Sequence, residues 1–161
     1  MPNWCVNTLK ISHEDPKMID RVEKSLKEER FLEEFIPNPD PENWYNHNVE
    51  NWGTKWDVGS GEGVREGNLF SVTFDSAWSP PIEGYRKLTE MGFEIEAYYL
   101  EEGMCFVGKY TSEDDEENYT YENDADWVRE NIPEDIDEEF SLSERIEEQD
   151  WDDVVPFDEE D

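Results

Sequence analysis

Positive charge, cysteine and histidine are all scarce in this sequence, and each shortage removes a class of function. Against 45 Asp and Glu there are 13 Lys and Arg, a formal net charge of −32. Nucleic acids and anionic membrane surfaces are bound chiefly through Lys and Arg, so both would be repelled. The two cysteines, Cys5 and Cys105, are too few and too far apart for a disulfide framework and read as reduced core thiols. The two histidines, His13 and His47, belong to no HExxH or Cys/His pattern, so no zinc site is expected. The acidic runs lack the alternating DxDxDG order of a calcium loop, and no P-loop is present. No apolar run approaches the roughly 20 residues that span a bilayer. The N-terminus has no basic segment followed by an apolar stretch, which points to a cytoplasmic protein.

Aromatic residues are abundant instead. Seven Trp, seven Tyr and eight Phe make up 14% of the chain, whereas charged disordered chains are poor in such residues. Each aromatic side chain removes about 150–250 Å² from water when buried, so a folded core is expected beneath the acidic surface.

The charge is unevenly placed. Residues 112–161 hold 24 of the acids and two of the bases, Arg129 and Arg145; residues 1–111 hold the rest. We therefore divide the chain into a body, 1–111, and a highly acidic C-terminal extension, 112–161.

In the body, Trp4–Ile11 alternates polar and apolar residues as a half-buried strand does. Asp15 and Pro16 cap and open a helix whose apolar positions Met18, Ile19, Val22 and Leu26 share one face. Residues 30–50 contain PNPDP and read as loop. Asn51–Val58 reads as a strand with Trp52, Thr54, Trp56 and Val58 on one side, followed by the flexible connection GSGEGVREG. Leu69–Phe74 is a third strand. Ser79 caps a helix opened by Pro80 and Pro81 and carrying Ile82, Tyr85, Leu88 and Met91, which Gly92 ends. Phe93–Leu100 and Met104–Tyr110 are two further strands about a Glu-Glu-Gly turn. This order is the β-α-β-β-α-β pattern of an α+β ferredoxin-like antiparallel sheet, with an extra hairpin strand.

The extension carries short helical signals: Asn123 or Asp124 as a cap before Trp127 and Val128, Pro133 before Ile136 and Phe140, and Ser141 or Ser143 before Ile146. These anchors, with Trp151, Val154, Val155 and Phe157, predict an extension that is partly helical and packed on the body.

Three stretches carry a resemblance: Met1-Pro2-Asn3-Trp4-Cys5-Val6-Asn7, Asn51-Trp52-Gly53-Thr54-Lys55-Trp56-Asp57 and Ala77-Trp78-Ser79-Pro80-Pro81. Together with Tyr99–Gly108 they resemble the YubB-like group of phage and plasmid proteins with a ferredoxin-like domain. The resemblance covers roughly residues 1–110. It implies a ferredoxin-like fold and a mobile-element source, and it brings no activity.

Reactive groups do not converge in the sequence, so no enzyme, cofactor or metal is expected. Ferredoxin-like sheets also stack RNA bases on exposed aromatics, but a body this acidic would repel phosphate. The sharpest expectation concerns the extension. Were Glu130–Phe140 largely helical, Glu130, Glu134, Asp135, Asp137, Glu138 and Glu139 would place six carboxylates along about 14 Å, a charge spacing comparable to a DNA strand. Such a surface suits a nucleic-acid mimic that blocks a basic host DNA- or RNA-binding protein of defence or replication. The expected mimic surface comprises Glu113, Asp114, Asp115, Glu116, Glu117 and the six above, with Glu144, Glu147, Glu148, Asp152 and Asp153. The plain reading of the same residues is a solvated, solubilising tail. The rival functional reading is a protein-binding module whose surface is Trp52, Lys55, Trp56 and Asp57, although large aromatics at period two are more often core.

Overall fold

The computed structural model describes residues 3–149. Its centre is a six-stranded, wholly antiparallel sheet in the order β2-β3-β1-β4-β5-β6. The strands are β1 (Trp4–Ser12), β2 (Val64–Glu66), β3 (Leu69–Ala77), β4 (Glu94–Glu101), β5 (Phe106–Thr111) and β6 (Asp115–Thr120). The helices are α1 (Pro16–Lys27), α2 (Phe31–Phe35), α3 (Trp44–Asn51), α4 (Ile82–Glu90), α5 (Ala125–Asn131) and α6 (Glu134–Phe140). A further helical stretch runs over 142–149. Among the described residues, no helix is long and apolar enough to cross a membrane.

Strand alternation decides what each face of the sheet carries. Cys5, Leu9 and Ile11 of β1, Phe70, Val72 and Phe74 of β3, and Ile95, Ala97 and Tyr99 of β4 point to one face. There they join Ile19, Val22 and Leu26 of α1, Phe31 and Leu32 of α2, and Tyr85 and Leu88 of α4 in one buried cluster. α1 forms as its sequence predicts: the Asp15 carboxylate accepts the Lys17 N–H at 3.0 Å, with Pro16 in the first turn. The opposite face carries Leu100 and Val107, cross-strand partners, and these are covered by Val128, Ile132, Ile136, Phe140 and Ile146. Residues 125–149 of the acidic segment are thus an ordered cover over one half of the sheet.

Four expectations change. Asn51–Val58 is not a strand: α3 ends at Asn51, and Gly53, at φ 85°, turns the chain where a side chain would be strained. The second strand is β2 instead, lying inside the supposed flexible connection and pairing with β3 through Val64, Arg65 and Glu66. The period-two burial of Trp52, Thr54 and Val58 comes from an irregular loop tied down at alternate positions: the Trp52 indole donates to the Ile36 carbonyl (2.9 Å) and the Thr54 hydroxyl to the Ala77 carbonyl (2.9 Å). Residues 30–50 are not all loop, since α2 and α3 flank the PNPDP stretch. Ser79 does not cap α4; its hydroxyl donates to the Gly53 carbonyl at 2.6 Å, and Pro81 stands at the cap.

The sixth strand, DEENYT, has no sequence signature because charge dominates it. It forms because the open edge of β5 supplies its hydrogen bonds, while Lys109 faces Glu117 across the pair. Gly108 makes the approach possible: a Cβ there would lie 2.1 Å from the Glu117 carbonyl oxygen.

Candidate functional site

The acidic cover is held in place from beneath and from its edges. Asp124 caps α5 by accepting the Trp127 N–H at 3.1 Å. α5 ends at Asn131, and Ile132 and Pro133 break the chain before α6, so Glu130–Phe140 is two short helices and not one. Ser141, at φ 52°, turns the chain again. Asp137 then caps the 142–149 helix, accepting the Ser143 N–H and hydroxyl, each at 2.7 Å.

The carboxylates of the expected mimic surface fall into groups by where this architecture points them. Glu113 and Asp114 are exposed in the β5–β6 turn. Asp115 pairs with Arg86 of α4 at 2.7 Å, and the guanidinium holds its carboxyl below the usual range. Glu116 accepts the Tyr99 hydroxyl at 2.7 Å, and Glu117 lies 3.6 Å from Lys109. On the cover, Asp135 accepts the Lys109 ammonium at 2.8 Å, which lowers its pKa. Glu139 accepts the Thr8 hydroxyl at 2.6 Å and ties α6 to β1. Glu147 pairs with Arg129 at 2.9 Å, and its pKa is lowered in turn. Asp152 and Asp153, like the anchors Trp151, Val154, Val155 and Phe157, lie outside the described residues.

What remains outward on the cover is Glu130 near the end of α5, Glu134 and Glu138 four apart on α6, and Glu144 and Glu148 four apart on the last helix, all exposed. Among the described residues, the ion pairs of this region engage Asp126, Asp135, Glu147 and Glu102, and none engages these five. Glu138 carries the physical signature of that arrangement. The hydrogen bond and charge of neighbouring Glu134 push its carboxyl above the ordinary glutamate range. Residues four apart on a helix are surface neighbours, and like charges there destabilise it.

The cover leaves the β2-β3-β1 half of its face open. There a trough of about 400 Å³ runs between Val64 and Glu62 on one side and Glu139 of α6 on the other. Its floor is hydroxyl-rich, with Thr8, Ser71, Thr73 and Tyr98. Glu96 lies 3.8 Å from Lys10, the cation of the lining. Above the trough, Tyr98 donates to Asp135 at 3.2 Å, and partial burial with neighbouring carboxylates pushes its phenol up to about 12.

The NWGTKWD residues separate by role. Trp52 is core, 4% exposed. Asp57 is a cap: its carboxylate accepts the N–H groups of Leu32 (2.7 Å), Glu33 (2.9 Å) and Val58 (2.8 Å). Burial nonetheless outweighs these donors and raises its pKa. Trp56 is 39% exposed and Lys55 Nζ sits 4.8 Å above its ring. Three further indoles, Trp4, Trp44 and Trp78, are exposed. Trp78 sits at φ 70°, a left-handed conformation rare for a bulky residue and a mark of strain. Its only sequence signal is membership of the Ala77–Pro81 stretch.

The groups with reactive chemistry are occupied structurally. Cys5 is buried within the sheet core, and desolvation pushes its thiol up to about 12, which keeps it protonated. Cys105 is half-buried, and its thiol faces the Glu102 carbonyl at 3.6 Å. His13 packs edge-on against Phe93, and His47 lies in α3, not in a loop. Among the described residues, no group of three or more His, Cys, Asp or Glu is placed to hold a metal ion.

Residues 51–151, more than half of the chain, match the family model described as the ferredoxin-like domain in Api92-like protein. No curated protein matches the chain. The crystal structure of protein Api92 from Yersinia pseudotuberculosis is similar at 19% identity and a TM-score of 0.40, over 56% of this chain. The chain spans 39% of the length of that structure.

Proposed function

We infer that this chain, which belongs to the family defined by the ferredoxin-like domain of Api92-like proteins, is an inhibitory nucleic-acid mimic that docks on the basic face of a DNA- or RNA-binding host protein. The observation that carries this reading is the outward carboxylate set fixed on packed helices, with Glu134 and Glu138 exposed four residues apart on α6. A solubilising tail has no need of buried anchors such as Ile136 and Ile146. An arrangement that costs the isolated protein stability is favourable once lysines and arginines approach it, because the repulsion between the carboxylates is then offset by the partner.

The geometry refines the mimicry. α6 alone is about 10 Å long, and within each helix outward carboxylates four residues apart are spaced by about 6 Å. That is sparser than the roughly 3.4 Å per nucleotide of a single strand. The match to nucleic acid therefore lies in sign and rigidity more than in phosphate spacing. The resemblance of the Met1–Asn7, Asn51–Asp57 and Ala77–Pro81 stretches to phage and plasmid proteins supports a mobile-element origin and a host target in defence or replication.

A second reading, a protein-binding module acting through its aromatic surface, is favoured by the exposed Trp56 and Lys55. The two part under one experiment. The full chain and its variant with Glu130, Glu134, Glu138, Glu144 and Glu148 all changed to Gln serve as baits in bacterial lysate at near-physiological salt. Mimicry predicts nucleic-acid-binding proteins on the first bait, displaced by duplex DNA or by RNA, and their loss from the second. Proteins that resist both nucleic acids, or that bind both baits equally, overturn it in favour of the aromatic surface.

A further inference from the structure

Three segments far apart in sequence meet where β1 begins and β3 ends. The Trp78 N–H donates to the Asn3 carbonyl at 2.8 Å, the Thr54 hydroxyl to the Ala77 carbonyl, and the Ser79 hydroxyl to the Gly53 carbonyl. Their effect is to hold the indoles of Trp4 and Trp56 at 6.0 Å between centroids and 42° between planes, as an open wedge. Both rings remain substantially exposed, at 47% and 39%. Large apolar surface left in water beside an ordered core marks a contact surface more often than an isolated exposed leucine does.

The charge around the wedge selects its occupant. A second copy of this chain would bring another −32 against it, and an anionic partner meets the same repulsion. A cation is favoured, and the wedge already hosts one in Lys55, whose ammonium lies over the Trp56 ring. Trp4 pairs with Ala77 in register, so Asp75, two residues back on β3, shares its face and stands exposed beside it. A planar guanidinium can stack on an indole while its N–H fork reaches a carboxylate, a combination that the compact ammonium of lysine cannot match.

We propose that the Trp4–Trp56 wedge is the anchor for an arginine side chain of the basic partner, with the guanidinium over the Trp4 ring and Asp75 accepting its N–H donors. The proposal rests on the reading of the partner as a basic protein. It adds a short-range contact to the long-range attraction of the acidic helices. Trp and Arg are the residues most often found at the centre of interfaces, where truncation costs most.

A tetra-arginine peptide titrated into the full chain tests this, followed by the indole Nε1–H resonances in NMR, with Trp4 and Trp56 assigned through Phe variants. Those two resonances should shift, and tetra-lysine should leave them nearly still. The Trp4→Ala/Trp56→Ala double variant should bind tetra-arginine about tenfold more weakly. Asp75→Asn, which removes no apolar contact, should weaken it several-fold, while Glu14→Gln, an equal change of charge at the other end of β1, should not. Unmoved Trp4 and Trp56 resonances at saturation, or equal shifts with tetra-lysine, overturn the proposal. Shifts confined to amides of 125–149 overturn it while leaving the mimic intact. Shifting indoles in a protein whose captured partners resist both duplex DNA and RNA would remove the mimic and leave the anchor.

Discussion

The sheet buries apolar side chains on both faces, but under unequal densities of negative charge. Against α1, α2 and α4 lie large aromatics, among them Phe31, Phe70, Tyr85 and Phe93, with bases such as Arg21, Arg30, Arg65 and Arg86 spread among the acids around them. Against α5, α6 and the 142–149 helix lies a smaller cluster, including Leu100, Val107, Val128, Ile136 and Ile146, beneath an acidic surface on which Arg129 and Arg145 are the bases. Both covers exclude water in the same way. The second does so beneath the denser like charge, which predicts that it is the less stable part and the part that would gain most from a cationic partner.

The largest expected effects test that difference directly. Trp52→Ala removes a buried indole and its hydrogen bond to Ile36, and should cost about 3–5 kcal/mol in urea denaturation, with both faces unfolding together. Ile136→Ala should cost about 2–4 kcal/mol, but locally: amide hydrogen exchange should quicken across 125–149 while β1 and β3 stay protected. Equal loss of protection in β1 and β3 would mean that the two faces form one cooperative unit, and the comparison would fail.

The same division explains which parts of the molecule could be read from sequence. β1, α1, β3, β4 and β5 were legible because buried positions follow the period of each element, as in Ile19, Val22 and Leu26. The caps Asp15 and Asp124 were legible because capping is local. The Asn51–Val58 loop misled because Trp52, Thr54 and Val58 are buried by separate tertiary contacts that happen to alternate. β6 was hidden because the signal for it resides in its neighbours, in Lys109 and the open edge of β5, and not in its own residues. The proposed mimic face was legible in charge but not in direction: Asp135, Asp137, Glu139 and Glu147 are bound to partners within the chain, and among the described residues no ion pair engages Glu130, Glu134, Glu138, Glu144 or Glu148. The tryptophan wedge required three separated segments to be placed in space.

A smaller effect follows from screening. Raising ionic strength from about 0.01 M to about 1 M shortens the Debye length from roughly 30 Å to 3 Å. The cover should gain more than the body, because repulsion between its exposed carboxylates is what salt weakens. Amide exchange over 125–149 should slow with added salt, and exchange in β1 and β3 should change little. A uniform response would place the repulsion in the whole molecule and not in one face.

The smallest effect separates two opposing carboxylates on the same helix. Glu138, its pKa raised by Glu134, binds a proton more tightly folded than unfolded. Its charge therefore costs stability at neutral pH, and the cost is relieved as pH falls through its raised folded value. Asp135, its pKa lowered by Lys109, does the reverse. Its contribution is fully present above the unfolded value of about 4 and is lost as pH falls through the lower folded one. Because that pair is partly exposed, it is worth less than about 1 kcal/mol. Protection of the 125–149 amides should rise slightly as pH falls from neutrality, then decline below about pH 4. Glu138→Gln should abolish the rise and keep the decline, whereas Asp135→Asn should flatten the decline and keep the rise. A rise that survives Glu138→Gln would show that the crowding lies elsewhere on the cover, and the Glu134–Glu138 pair would lose its place as the centre of the outward surface.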